Sequence, residues 1–462
     1  MNNKRTAVLT AALSFLSAFL IFMLPSIPAL AELPAPSPRT PHKPTTVSPW
    51  MQREMEQENM TGDWYGARDK LADSGVTFKS TYVFDVLGNP VGGREQEVSY
   101  DHSMGLDMNV DLEKAAGVQG LQFHASCLWR AGSNLSKYIG NRFPPSSIYG
   151  SEEFKWYALY LEQDLFNKRF NFRIGRFTPG DDFGSSPLYW VFVTNSIDGN
   201  PISLPINMPF LTYPNATWGA RARLFLTEEV YATTGVFDGD PDVGRDSMHG
   251  FDFGLKIDRG VIYLQEFAYA PNTAEDAKGM PGHYKAGGFY HSGKFYNLYE
   301  DRNGGSYVLT GLPRKSRIGN YGFYFHADQM LYRENGPGTD QGLTAMGVCT
   351  IAPSNWNMFP FFFDCGLIYK GLIPHRDKDI AAVGFTYGMW SWDQARSQQD
   401  RRDYLGDDIY TQEYEIVLDF NYKIQITDWF FVQPDIQYII NCNGTGKVPN
   451  AMVVGSRFGF TF

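Results

Sequence analysis

Arg221 and Arg223 alternate with Trp218, Ala220, Ala222 and Leu224, and Arg173 holds the same phase in the alternating run before them. A period of two puts every second side chain on one face of a strand, so the three guanidiniums belong to one face. Farther along, Glu413, Glu415 and Asp419 alternate with Tyr414, Ile416, Leu418 and Phe420, and Gln433, Asp435 and Gln437 alternate with Pro434, Ile436 and Tyr438. A basic ladder facing an acidic and amide-rich wall sets a transverse field across a narrow passage. It also offers many fixed hydrogen-bond partners to a polyhydroxylated solute. The alternative is that enclosed charges pair with one another and simply hold the wall together. No motif supports covalent chemistry: there is no G-x-S-x-G, no H-E-x-x-H, no phosphate-binding Gly-Lys-Ser/Thr loop and no His/Cys cluster at zinc spacing, so no catalytic residue, metal or cofactor is expected, and an outer-membrane barrel hydrolase with a site outside these patterns is the alternative.

The elements that carry these side chains are strands. Met452, Val454, Phe458, Phe460 and Phe462 face one way, and Gly455, Arg457, Gly459 and Thr461 the other. In 101–112, His102, Met104, Leu106, Met108, Val110 and Leu112 oppose Ser103, Gly105, Asp107, Asn109 and Asp111. Apolar residues on one face and acids on the other are what a bilayer and a watery lumen select. Similar runs at 76–86, 119–131, 155–165, 169–177, 217–227, 230–238, 259–270, 283–292, 318–332, 341–351, 360–370, 380–391, 411–424 and 429–440 bring the expected number to about sixteen. Short inner turns must alternate with long outer connections, which assigns Phe251 to Lys256 to an outer loop. The expected fold is therefore an all-β, antiparallel transmembrane barrel with an aqueous interior.

Lys4 and Arg5 precede an apolar run from Ala7 to Leu24, with Pro25 and Pro28 before Ala29-Leu30-Ala31, which predicts a signal peptide over 1–31; a retained anchor is the alternative. Loss of Lys4 and Arg5 with that leader takes the formal charge from −10 to −12, a poor match for nucleic acid. Residues 32–60 form a lead-in, Pro-rich from Leu33 to Pro49 and helix-favouring from Met51 to Met60; Asp63 to Asp73 reads as a second short helix, both in the periplasm. The barrel domain spans 61–462. A mean hydropathy of −0.31 with 35 Phe, 27 Tyr and 46 Gly suits a thin lipid band around a polar lumen. Cys127, Cys349, Cys365 and Cys442 show no C-x-x-C spacing, and a Cys349–Cys365 bridge is left open.

The longest connection, 178–216, carries six prolines together with Asp181, Asp182, Phe183, Tyr189, Trp190 and Phe192. So much apolar surface in one ordered loop predicts that it folds into the barrel and narrows the pore, with Tyr189 and Trp190 free to stack on a sugar ring. An extracellular lid or a subunit contact is the alternative.

The chain resembles the OprB type of carbohydrate-selective porins from about Thr61 onward. The likeness rests on Thr61-Gly62-Asp63-Trp64 with Arg68, on the run from Gly175 to Phe183, and on Tyr290-His291-Ser292-Gly293-Lys294-Phe295. Ala327-Asp328-Gln329-Met330, Gly371-Leu372-Ile373-Pro374 and the run from Gln433 to Ile439 extend it. Tyr65, His375 and Cys442 depart from the family pattern, all in turns or the lead-in. The resemblance implies a sixteen-stranded outer-membrane channel through which small sugars pass, rather than an enzyme. Partners expected with it are outer-membrane lipid and lipopolysaccharide, and the barrel-insertion machinery acting on Phe462, in a monomer or homotrimer. A general or anion-preferring channel for organic acids, motivated by the arginines, is the competing cargo reading.

Overall fold

Alternation of apolar and polar side chains is realised here as a closed sheet. The computed structural model describes residues 57–462 apart from 151, 241, 243–247, 275–276 and 337. The leader and the Pro-rich tether lie outside the described residues, as does most of the expected Met51–Met60 helix; residues 58–60 are bend and turn. The first eight strands are β1 (Val76–Val91), β2 (Val98–Asp111), β3 (Leu121–Gly132), β4 (Glu153–Leu165), β5 (Phe170–Phe177), β6 (Thr217–Phe225), β7 (Val230–Asp238) and β8 (Val261–Tyr269). The second eight are β9 (Gly282–Asp301), β10 (Arg314–Arg333), β11 (Gly342–Ile351), β12 (Phe361–Lys370), β13 (Ile380–Met389), β14 (Tyr414–Thr427), β15 (Phe430–Ile440) and β16 (Ala451–Thr461).

Each strand pairs antiparallel with its sequence neighbours, and β1 closes on β16 through pairs such as Phe84 with Phe458 and Asp85 with Arg457. Closure leaves no unpaired edge, which is the condition for strands to cross a bilayer. Among the described residues no helix is long and apolar enough to do so. Leu106, Ile174, Leu224, Phe323, Val383, Phe420 and Ile436 are exposed on the outer face, where lipid replaces water as their solvent.

The sixteen strands fall where the alternation places them, and Phe251 to Lys256 lies in the connection between β7 and β8. Two differences have local causes. The β9–β10 hairpin runs well beyond 283–292 and 318–332, because a register shift between Ile318 and Asn320, with Gly319 at φ +92°, interrupts the period of two without ending the pairing. The helix expected over Asp63–Asp73 starts at Ala67, since Tyr65 and Gly66 have φ +58° and +81° and split off a short turn at Trp64–Gly66. There the Arg68 guanidinium lies 4.3 Å from the Trp64 ring centre, and the Met60 N–H donates to the Thr461 carbonyl at 2.8 Å.

The lumen is largely packed. From the long connection after β5, Phe183, Leu204, Met208 and Phe210 are buried with Phe177, Phe237, Ile262, Leu264 and Tyr324 of the wall. Tyr189, Phe192 and Ile197 are buried with Met346, Val348, Ile368 and Ala382. Glycines on the inner face admit these rings: a Cβ on Gly384 would lie 2.7 Å from Phe192, and one on Gly388 only 2.3 Å from Phe143 of the β3–β4 connection. Each fully buried aromatic contributes roughly 1.5–3 kcal/mol. That stabilisation fixes two long connections inside the barrel wall.

Candidate functional site

The arginine ladder is closed by carboxylates. Arg173 and Arg221 are direct cross-strand partners on β5 and β6, an arrangement of like charges that needs compensation. Glu162 of β4 takes Arg173 at 2.9 Å and Arg221 at 3.2 Å. Asp182, at the start of the inserted connection, takes Arg173, Arg221 and Arg223 at 3.1, 3.1 and 3.0 Å. Asn171 accepts a further bond from Arg221, and the Arg173 guanidinium lies 4.4 Å from the Tyr160 ring centre. Arg221 is 1 % exposed, so its charge is consumed in holding Asp182, and with it the connection, against the wall. Glu162 was not foreseen, although it shares its face with the ladder.

The acidic and amide wall is likewise an anchor. Glu415 is fully buried and accepts the backbone N–H groups of Arg142, Phe143 and Asn443. Asp419 accepts those of Val193 and Thr194 at 3.4 and 3.2 Å. Gln437 donates to the Pro145 carbonyl and to Asp435, both at 2.8 Å, and Gln433 donates to the Val191 carbonyl at 2.8 Å. These groups replace the missing backbone partners of irregular segments inside the barrel, a demand that buried loops always create. Glu413 is not on this wall: it is exposed ahead of β14, and its backbone bonds Trp390 and Gly444. Tyr189 is also turned away from solute, its hydroxyl 2.7 Å from His326 Nδ1 with 1 % exposure.

A chamber of ≈ 370 Å³ opens between the inserted connection and strands β1 to β4 and β14 to β16. Trp190 enters it and is 59 % exposed. Asp181 is exposed there and accepts the Tyr157 hydroxyl at 3.1 Å. Asp107, Asn195 and Lys423 also line it. The inserted connection thus brings Asp181 and Trp190 to water, while Arg173, Arg221 and Asp182 are spent on packing and Arg223, paired to Asp182, keeps 26 % of its side chain exposed. The sequence signal for Lys423 was its phase: it follows Asp419 and Asn421 on the inner face of β14. All four cysteines are unpaired. No group of His, Cys, Asp or Glu among the described residues could hold a metal ion.

A model of the family described as "Carbohydrate-selective porin, OprB family" matches residues 95–462. The chain is 26 % identical over 419 residues to Porin B of Pseudomonas aeruginosa, covering 87 % of this chain and 91 % of that one. It is 25 % identical over 442 residues to the putative porin QuiX of Acinetobacter baylyi, covering 89 % and 94 %. The high-pH structure of Pseudomonas putida OprB superposes with a TM-score of 0.84 at 26 % identity, over 88 % of this chain and 99 % of that one.

Proposed function

Since the chain belongs to the OprB family of carbohydrate-selective porins and is an outer-membrane channel for carbohydrates, we propose that monosaccharides and small oligosaccharides diffuse passively through the chamber beside Trp190. One observation carries this reading: Trp190 stands 59 % exposed in the chamber that the acceptors Asp107 and Asp181 also line. An indole face matches the apolar face of a sugar ring, and carboxylates accept from its hydroxyls. Contacts of this kind are weak and distributed, as conduction demands. Residues 178–216 act as the constriction in this reading, with Arg173, Arg221, Arg223, Asp182, Glu415, Asp435 and Gln437 supporting it from behind.

The same reading makes 1–31 a cleaved signal, 32–60 a periplasmic lead-in and 61–462 the barrel. Outer-membrane lipid and lipopolysaccharide surround the apolar band in a monomer or homotrimer, and the insertion machinery recognises the strand ending at Phe462.

Single-channel conductance in a planar bilayer tests the proposal. Glucose is expected to block current in a concentration-dependent manner and a small carboxylate is not. Stable pores indifferent to glucose would overturn it.

A further inference from the structure

The chamber's charge is uneven in a way that the arginine ladder does not explain. Arg457 in its wall is bound to Asp85 and Asp198, and the ladder is bound to Glu162 and Asp182. The Asp107 carboxylate has neither a hydrogen bond nor an ion pair among the described residues, and the Asp181 carboxylate has only the Tyr157 hydroxyl. Against these two carboxylates stands one ammonium without a carboxylate partner. Lys423 lies four residues before the end of β14, and Asp107 four before the end of β2, so both face the inner half of the lumen. The Lys423 Nζ rests 3.9 Å from the centre of the Phe431 ring.

We propose that Lys423 is the solute-sorting residue of the channel. The inference rests on the chamber being the sugar pathway. An ammonium seated on a ring face is stabilised by the ring quadrupole, yet its N–H groups are not consumed as they would be by a carboxylate. They remain available to the lone pairs of a passing hydroxyl. Asp107 and Asp181 accept from hydroxyl hydrogens, so a sugar alcohol group meets an acceptor and a donor in one chamber, whereas a monovalent ion finds only one of the two signs useful. Lys423 also offsets the two carboxylates, which on their own would concentrate cations and hold them in the passage. A neutral polyol gains from both signs through bonds that are each weak enough to release it.

The test uses Lys423→Cys in the full-length chain with Cys127, Cys349, Cys365 and Cys442 replaced by serine. The same folded pores are recorded before and after modification by a cationic or an anionic methanethiosulfonate. Loss of the lysine is expected to raise cation preference in the reversal potential and to weaken glucose blockade about ten-fold, one lost bond to a charged group. The cationic reagent then restores the reversal potential, and the anionic reagent drives it further toward cations. Modification that lowers conductance while neither reagent moves the reversal potential or glucose blockade overturns the role of Lys423 and leaves the pathway standing. Modification that leaves conductance unchanged removes the chamber from the pathway, and the proposal with it.

Discussion

Arg457 and Asp85 join the last strand to the first and, in the same contact, fix what lies inside the barrel. They are direct partners across the β1–β16 seam, bound through Nε to Oδ1 at 2.8 Å and Nη2 to Oδ2 at 2.9 Å. The remaining donors of the guanidinium reach Asp198 at 2.8 Å, the carbonyls of Phe192 and Val193 at 3.2 and 3.3 Å, and the Ser147 hydroxyl at 2.8 Å. One planar cation thus ties the closing seam to both inserted connections. Arg457→Met strands two buried carboxylates and should cost about 3–5 kcal/mol. Arg457→Lys should recover only part of this, since a point charge cannot reproduce the fork. Heat-induced mobility shifts on gels measure the loss, and bilayer recordings should show current noise from a loosened connection.

Arg221 separates a structural ladder from a solute-binding one. Its guanidinium is held by Glu162, Asp182 and Asn171 and is 1 % exposed, so a passing solute does not reach it. Arg221→Met should lower stability by about 3 kcal/mol. Glucose blockade of the correctly folded fraction should change by less than about two-fold. A large loss of glucose affinity at unchanged stability would make the ladder a contact surface for cargo.

Periodicity carries the wall of this barrel but not its contents. The phase of Arg173, Arg221 and Arg223 is legible because a strand writes its facing into every second residue, and the same rule places Lys423 beyond Asp419 and Asn421. The partners of Glu415 are not legible. Arg142 and Phe143 stand more than 270 residues away and contribute backbone N–H groups, which carry no side-chain signature. Glu413 illustrates the converse: it keeps the alternation of the following residues but precedes the first paired residue of β14, so its phase has no consequence. Trp190 and Tyr189 are neighbours of one residue type class whose fates differ because a short 3₁₀ turn at Tyr189–Val191 points them apart. Only the packing of that turn decides which ring meets water.

Trp190 is 59 % exposed to the chamber, so in the proposed sugar pathway it offers apolar area to solute rather than support to the barrel. Trp190→Ala should therefore leave the heat-stability of the barrel near that of the parent. An aromatic contact worth about 1 kcal/mol corresponds to a roughly five-fold weaker glucose blockade. Trp190→Phe should retain most of the affinity. Conductance to small ions should rise slightly with the smaller side chain, which distinguishes loss of stacking from collapse of the constriction.

Asp379 closes the turn between β12 and β13 and gives the barrel an acid-sensitive fastening outside the bilayer. Its carboxylate accepts Arg376 Nε at 2.8 Å and Nη2 at 2.9 Å, the Tyr422 hydroxyl at 2.9 Å and the Gln425 N–H at 3.0 Å. Burial by itself would raise this carboxyl, but the bonds from Arg376, Gln425 and Tyr422 outweigh it and hold the group below the ordinary carboxylate range. A depressed folded value means that the contribution is complete above the unfolded value of about 4 and is lost as pH falls through the folded one. Asp379→Asn should therefore cost about 2 kcal/mol at neutral pH, where the charge-assisted bonds are intact. The gap between parent and variant should close progressively as pH falls below about 4, because protonation removes from the parent what the substitution has already taken from the variant. Unfolding midpoints of both proteins, followed across that range by gel mobility, check the sign: a gap that widens on acidification would mean that Asp379 is protonated in the folded barrel at neutral pH.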